Sequence, residues 1–246
     1  MITTDPTPAE ARSAPESMRR TSLAAGILYL ITFVSIPTLF LYNPVRDDAD
    51  FVLGAGSDSG VLWGAFTEVV VALAGVGTAV VLFRVAKRQS ETAALGFLAS
   101  RVLEAAGILV GVVSLLSIVS LRDVAGTAGA DQASLVTTGH SLLATYDSAF
   151  LLSQSLLPVF NALCLGYVMY RSGLVPRILP ILGLVGAPLL LTSDILIFFD
   201  VIDRVSPFAA VAFIPIAVWE LSLGIYLTVR GFRPAAVAAL MSTPTH

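Results

Sequence analysis

Long runs of apolar residues, separated by short polar stretches, dominate the chain from about residue 22 to residue 229. Each run reaches the roughly 20 residues that an α-helix needs to cross the hydrocarbon core of a bilayer. Apolar side chains occupy nearly every helical face within a run, which is typical of helices surrounded by lipid and by other helices. The runs cover approximately residues 22–42, 61–83, 92–121, 141–170, 177–199 and 207–229.

This pattern predicts an all-α membrane protein, a bundle of six transmembrane helices. Inside a bilayer every backbone N–H and C=O group needs an internal partner, so only helices and closed β-barrels span it. A barrel would show short segments of alternating polarity rather than continuous apolar runs. The first run is too long for a signal peptide, and Tyr42-Asn43-Pro44 follows it in place of a small-residue cleavage site. We therefore expect a retained first helix.

The segments that flank the predicted bundle are polar or short. Residues 1–20 are rich in Pro, Thr, Ser, Ala and Glu and have no apolar face, so we expect a disordered cytoplasmic tail. Residues 233–246 are expected to form a flexible C-terminal tail, in which residues 235–241 could form a short surface helix. The six-helix transmembrane domain then covers residues 21–232.

Composition supports a membrane protein and excludes several functional classes. Charged residues make up 13% of the chain and the mean hydropathy is +0.87, whereas soluble domains contain about 25% charged residues. The net charge of -3, without a cluster of basic residues, argues against nucleic acid as a partner. Cys164 is the single cysteine, which excludes an intrachain disulfide and a thiolate metal cluster. We expect no metal and no cofactor.

Lysine and arginine are distributed unequally between the two sets of loops. One set, together with the tails, contains ten of them and the other contains three, while Arg101 lies inside the third run. The positive-inside rule therefore predicts cytoplasmic termini in a multi-pass protein of the cytoplasmic membrane. The second set of loops is rich in aspartate. The ten are Arg12, Arg19, Arg20, Arg84, Lys87, Arg88, Arg171, Arg177, Arg230 and Arg233, and the three are Arg46, Arg122 and Arg204.

Four stretches of the sequence resemble the DUF4386 family of bacterial integral membrane proteins of unknown function. They are RRTSLAAGILYLITFV in the first run, RVLEAAGILVG in the third, SGLVPRILPILGLVGAPLLL at the fifth and WELSLGIYLTVRGFRP in the sixth. The resemblance extends from Arg19 to Pro234. It implies six helices in a bacterial cytoplasmic membrane, and it brings no catalytic residues with it.

Charged residues inside the apolar runs are the first candidates for a site. A charge at mid-bilayer costs roughly 3 kcal/mol or more, so such residues normally face the bundle interior and pair with one another. Arg101 lies about 14 Å along its helix and Glu220 about 15 Å from the end at Arg230, at 1.5 Å per residue. Their similar depth predicts a contact, for which Glu104 competes because it lies three residues from Arg101.

The buried acids outnumber the buried cation. Glu68, Glu104 and Glu220 are three carboxyl groups within the runs, and Asp194 is a fourth near the outer side, against Arg101 alone. One guanidinium cannot neutralise them all. We therefore expect at least one acid to be protonated, exposed to water or bound to a cation from outside.

Polar residues at a seven-residue spacing mark the fourth run. Asp147, Gln154 and Asn161 fall roughly on one helical face, and Pro158 would free a carbonyl near Gln154 and bend the helix. A polar stripe beside a kink indicates a wet cleft inside the bundle. The alternative is ordinary hydrogen bonding between helices, which is common for Asn, Gln and Ser in membranes.

An enzyme is the less favoured interpretation. Thr145-Tyr146-Asp147 and Thr192-Ser193-Asp194 place an aspartate in each of two runs, as an intramembrane aspartyl protease requires, but the Gly-x-Gly-Asp element of that class is absent. The sequence also lacks HExxH and Gly-x-Ser-x-Gly motifs. We assign no catalytic residue.

The leading hypothesis is a membrane protein with an internal polar site that binds or moves a proton, a cation or a small solute. Its candidate binding residues are Glu68, Arg101, Glu104, Asp147, Gln154, Asn161, Asp194 and Glu220. The alternative is a non-catalytic scaffold or partner subunit whose buried charges only fix helix packing. Besides the lipid bilayer, the sequence identifies no partner and gives no oligomeric state.

Reporter fusions test the predicted orientation. A reporter that is active only in the cytoplasm should work at the C-terminus, and one that is active only outside should work within residues 47–58, because lysine and arginine concentrate on the other set of loops. Activity of the external reporter at the C-terminus would show that the orientation is reversed.

Overall fold

The computed structural model describes residues 8–48, 50–54 and 57–242 of the chain. Within these ranges the chain is helical and contains no strand. Six of its helical segments are long and apolar enough to cross a membrane, which confirms the predicted all-α six-helix fold. The helices are α1 (Pro8–Thr32), α2 (Ser35–Thr38), a 3₁₀ turn (Leu39–Tyr42), α3 (Asn43–Asp47), α4 (Ser59–Gln89), α5 (Glu91–Ala125), α6 (Gln132–Phe150), a π-helical turn (Leu151–Ser155), α7 (Leu156–Ser172), α8 (Ile178–Phe198), α9 (Pro207–Val229) and α10 (Pro234–Ser242).

The spans are numbered 1 to 6 in chain order. Span 1 extends over Glu16–Asp47 and so joins α1, α2, the 3₁₀ turn and α3, and span 4 extends over Gln132–Ser172. Spans 2, 3, 5 and 6 are α4, α5, α8 and α9. The end of the bundle that holds Arg19, Arg88 and Arg177 is called the basic end. The other end, whose loops carry most of the aspartates, is called the acidic end.

Span 1 is broken near its middle. Pro37 has no N–H to donate to the carbonyl of Phe33 four residues earlier, and the Ile36 N–H bonds to that carbonyl instead, at 3.2 Å. Before this break α1 packs against both α4 and α9, whereas α2 and the 3₁₀ turn pack against α4. The acidic-end half of span 1 therefore separates from α9, which leaves space between them.

Span 4 is interrupted by its π-helical turn, Leu151–Ser155. Pro158 cannot donate to the carbonyl of Gln154, so the regular hydrogen-bond ladder fails at the position that the sequence predicted. Two glycines of α5 accommodate this part of span 4, since Gly107 lies against Ser153 and Gly111 against the ring of Tyr146. The disturbed turn directs Ser153 inward, where it is 2% exposed.

The apolar core is unevenly distributed along the bundle. Its larger cluster fills the basic-end half and includes Tyr29, Leu82, Phe97 and Trp219. A second cluster at the acidic end contains Tyr42, Phe51, Leu115 and Tyr146 and lies among spans 1 to 4. The acidic-end region next to spans 5 and 6 has no equivalent filling among the described residues, and the candidate site lies there.

The described parts of both chain ends are helical. Residues 8–20, which we expected to be disordered, continue α1, because Arg19 donates to the carbonyls of Leu227 (3.2 Å), Thr228 (2.8 Å) and Val229 (3.4 Å) at the end of α9. In the C-terminal segment, where the sequence allowed a short helix over residues 235–241, α10 forms over Pro234–Ser242 and Leu240 is buried against the core. The remainder of both expected tails, residues 1–7 and 243–246, lies outside the described residues.

Replacement of Arg19 tests this contact between α1 and α9. Arg19→Met should lower stability by about 1 kcal/mol, because three helix-terminal carbonyls lose a cationic donor. Arg20→Met is the matched control, since among the described residues Arg20 pairs only with Glu16 on the surface, and such pairs contribute about 0–1 kcal/mol. Thermal unfolding in detergent compares the two variants. Equal losses would mean that Arg19 does not hold α1 against α9.

Candidate functional site

Arg101 forms the centre of a charged cluster at mid-depth. Its Nη2 donates to Glu220 Oε1 of α9 at 2.7 Å, and its Nη1 donates to Glu104 at 3.0 Å and 3.2 Å. The side chains of Arg101, Glu104 and Glu220 are 3%, 12% and 16% exposed. The contact between Arg101 and Glu220 that matching depths predicted is therefore present, and Glu104 makes it a triad. One guanidinium thus faces two carboxylates.

Aromatic and amide groups hold this triad from the basic side. The guanidinium carbon lies 5.3 Å from the ring centre of Tyr29 and 5.6 Å from that of Phe97, where the negative faces of the rings attract a cation. Asn161 of α7 donates to Glu104 Oε2 at 2.6 Å and accepts from Ser100 at 2.5 Å. Four spans thereby fix the orientation of a single cation.

Glu68 of α4 occupies a separate position nearer the acidic end. It is fully buried and accepts hydrogen bonds from Tyr42 (3.0 Å) and from Gln154 (3.1 Å). None of the ion pairs among the described residues involves it. Gly64 makes room for the Tyr42 ring against α4, and so the break in span 1 brings a hydroxyl to this carboxyl group.

Asp194 of α8 is the fourth intramembrane acid. Its Oδ1 accepts a hydrogen bond from Ser155 of the π-helical turn at 2.6 Å, and the residue is 3% exposed. Its Oδ2 has no hydrogen-bond partner among the described residues, and neither has the hydroxyl of the adjacent Ser193. Burial of a polar atom without a hydrogen-bond partner costs free energy, and a water molecule or a ligand that bonds to these two atoms would remove that cost.

Asp147 belongs to a third group, at the acidic end. Its Oδ1 pairs with Arg204 at 2.8 Å and with Arg46 at 3.2 Å. Arg204 lies over the ring of Phe150, 3.8 Å from its centre. Burial lowers the pKa of Arg204, and so, to a lesser extent, does the nearby charge of Arg46. The carboxylate of Asp147 raises this pKa and partly offsets both effects. Two cations here share one carboxylate, the reverse of the arrangement at Arg101.

A cavity of about 540 Å³ connects these groups. Arg46 and Arg204 line it at the acidic end, and Arg101, Glu104 and Glu220 line it at mid-depth. Ala209 and Glu220, 11 residues apart, are the first and last residues of α9 in its lining, so the cavity extends about 17 Å along α9 at 1.5 Å per residue. Its volume is within the roughly 300–1,000 Å³ of small-molecule sites.

The walls and the floor of the cavity have different chemistry. Apolar side chains from the broken region of span 1 and from α9 form much of the wall, among them Phe33, Ile36 and Phe213. The floor is polar, and Arg101 Nε joins Asp194 Oδ2 and Ser193 Oγ as a buried atom without a hydrogen-bond partner among the described residues. Below the triad, Tyr29, Trp219 and Leu223 pack in the core and close the cavity toward the basic end.

The eight candidate residues fall into two sets. Arg101, Glu104, Gln154, Asp194 and Glu220 line the cavity, whereas Glu68, Asp147 and Asn161 lie behind it and bond to its lining or rim. The stripe of span 4 indeed faces inward, and each of its members bonds to a different charged group. Gln154 connects the cavity to Glu68.

Comparison with known proteins identifies the family. A model of the family described as "Domain of unknown function (DUF4386)" matches residues 24–231. The chain belongs to the DUF4386 family. The match covers span 1 from residue 24, all of spans 2 to 6 and the whole cavity lining, so this arrangement lies within the matched domain. No curated protein and no solved structure matches the chain.

Sequence reasoning missed the rim and several hydrogen-bond partners. Arg46 and Arg204 were counted only as loop charges, although they are two of three basic residues on the acidic side and both lie next to a span end. Tyr29 and Tyr42 were not among the candidate residues, yet both are buried beside charged groups. The break at Pro37, which brings Tyr42 inward, was the available signal.

A double-mutant cycle tests the triad. Arg101→Met should cost about 3–5 kcal/mol of stability, because it leaves two facing carboxylates without a cation. Glu220→Gln should cost less, about 1 kcal/mol, because the neutral amide still accepts a hydrogen bond and Arg101 retains Glu104. Combining the two changes should recover part of the loss caused by Arg101→Met.

Thermal unfolding in detergent provides the measurement for this cycle. Arg88→Met is the control, since Arg88 is exposed at the last turn of α4, and it should change stability little. Losses from Arg101→Met and Glu220→Gln that simply add would show that the two residues do not interact.

Proposed function

We propose that this DUF4386 protein binds a small solute in the cavity, to whose lining all six spans contribute. The observation that carries the proposal is the coincidence of this space with three buried polar atoms that lack partners among the described residues, on Arg101, Ser193 and Asp194. Buried polar groups that only hold helices together normally have hydrogen-bond partners within the protein. A ligand or the water that it displaces would satisfy them here.

The proposal includes a direction of access. Arg46 and Arg204 line the cavity at the acidic end and the Tyr29–Trp219 core lies at the other end, so we infer that the mouth is at the acidic end. If the basic loops are cytoplasmic, as the positive-inside rule predicts, the solute enters from outside the cytoplasmic membrane. The interruptions at Pro37 and Pro158 resemble the broken helices that surround central sites in many transporters, and they support movement of the solute as a further step.

A scaffold with no ligand is the competing function. It would require the cavity to be filled or closed in the membrane, because an open, water-filled space with a charged floor contributes nothing to holding helices together. The two functions therefore differ in whether water reaches the floor.

Thiol labelling tests access to the cavity. Ala217 lines the cavity one helical turn before Glu220, so Ala217→Cys in a Cys164→Ala background should react readily with a small neutral methanethiosulfonate in nanodiscs. Ala162→Cys is the matched control, since Ala162 is 1% exposed in the apolar core, and it should react at least tenfold more slowly, because cavities lined by polar groups hold water whereas packed cores do not. Intact-protein mass spectrometry follows both reactions. If both cysteines react equally slowly, the cavity is closed and the solute-binding proposal fails.

A further inference from the structure

We infer that the ligand of the cavity is a small organic cation, such as a protonated amine or quaternary ammonium with an apolar body, which this structure would bind by its charged group at the floor. The inference rests on the proposed function and adds the chemical class of the solute. It depends on the distribution of charge along the cavity, on the atoms left without partners and on the apolar wall.

The inner part of the cavity carries more negative than positive charge. Three carboxyl groups line it, those of Glu104, Asp194 and Glu220, against the single guanidinium of Arg101. The guanidinium is already matched by two of these acids, at 3.0 Å and 2.7 Å. Asp194 has no cation among the described residues and accepts only the Ser155 hydroxyl. With all of these groups ionised, the inner part has an excess of two negative charges.

The available hydrogen-bonding atoms at the floor are mainly acceptors. Asp194 Oδ2 is buried without a partner, and Glu220 Oε2 accepts no hydrogen bond among the described residues, although Glu220 lines the cavity. A carboxylate is an acceptor only, so both atoms favour a ligand that donates or carries positive charge. Arg101 Nε is the exception, as a single donor for a water molecule or a ligand oxygen.

The rim has the opposite charge, but its effect is weaker. Arg46 and Arg204 share Asp147 and leave one positive charge in excess. These side chains are 31% and 25% exposed, and Asp147 is 41% exposed, so water and salt screen them over a Debye length of about 8 Å. The inner acids lie in a less polar medium, where charge acts more strongly. The inner carboxylates therefore repel an anion strongly, whereas the screened arginines of the rim repel a cation only weakly.

The apolar wall determines the rest of the ligand. Phe33, Ile36, Phe213 and Ile216 line the space above the triad, and they offer no charged partner to a ligand. With an inorganic cation bound, the apolar wall would stay in contact with water. An organic cation with an aromatic or aliphatic body would cover the wall, and burial of this apolar surface would favour binding. The cavity is therefore better suited to an amphipathic cation than to a bare metal ion.

Labelling reagents of opposite charge test the sign of the electrostatic potential inside the cavity. The cationic trimethylammonium-ethyl and the anionic sulfonato-ethyl methanethiosulfonates are applied to Ala217→Cys in the Cys164→Ala background, with rates normalised to free 2-mercaptoethanol. The cationic reagent should react roughly tenfold faster after normalisation, as expected for a charged cleft with low-dielectric walls. Asp194→Asn should reduce that preference. If the normalised rates of the two reagents are equal, or if the anionic reagent reacts faster, the inference is overturned.

Protection by matched ions tests binding itself. Benzyltrimethylammonium should slow the reaction of Ala217→Cys with the small neutral reagent in a concentration-dependent manner, and benzenesulfonate, of similar shape and opposite charge, should not. Equal protection by the two ions, or protection by benzenesulfonate alone, would overturn the inference. These results are distinct from failure of the proposed function, in which the neutral reagent does not reach Ala217→Cys at all.

Discussion

The pairing of the Arg101 guanidinium with two carboxylates is the interaction on which the rest of this structure depends. A charge in the middle of a membrane has no bulk water to stabilise it, so its partners have to come from the bundle. Arg101 takes Glu104 from its own helix and Glu220 from α9, while Tyr29 and Phe97 cover it with their rings. Spans 1, 3 and 6 are thereby tied together at one depth. The apolar core below this level closes one half of the bundle.

Two prolines account for the space above the triad. Pro37 ends the regular hydrogen-bond ladder of span 1, so that the acidic-end half of this span follows α4 instead of α9. Pro158 is accompanied by the π-helical turn of span 4, which brings Gln154 and Ser155 to Glu68 and Asp194. Irregular backbone at membrane depth is tolerated where it lines a cavity or is covered by protein. The breaks and the polar cavity are thus consequences of the same local changes in hydrogen bonding.

The helical architecture follows directly from the sequence, because continuous apolar runs of sufficient length leave few alternatives in a bilayer. The pairing of Arg101 with Glu220 could also be predicted, since rise per residue fixes the depth of each side chain. Depth gives no information on which helices are neighbours, so Glu68 and Asp194 could not be assigned their partners Tyr42 and Ser155. The helix over residues 8–20 could not be predicted for a related reason. Arg19 is held by contacts with α9 that local composition does not reveal.

Water at the Arg101 side chain is the most direct consequence of an open cavity with this triad at its floor. Solid-state NMR of arginine-labelled protein in lipid, with magnetisation transferred from mobile water to side-chain nitrogens, measures it, and Arg101→Lys identifies the signal. The Nε of Arg101 has no hydrogen-bond partner among the described residues, so it should receive magnetisation from water although the residue is 3% exposed. An Arg101 signal that receives none, while the exposed Arg88 does, would mean that the triad packs dry and that the cavity is not a binding site.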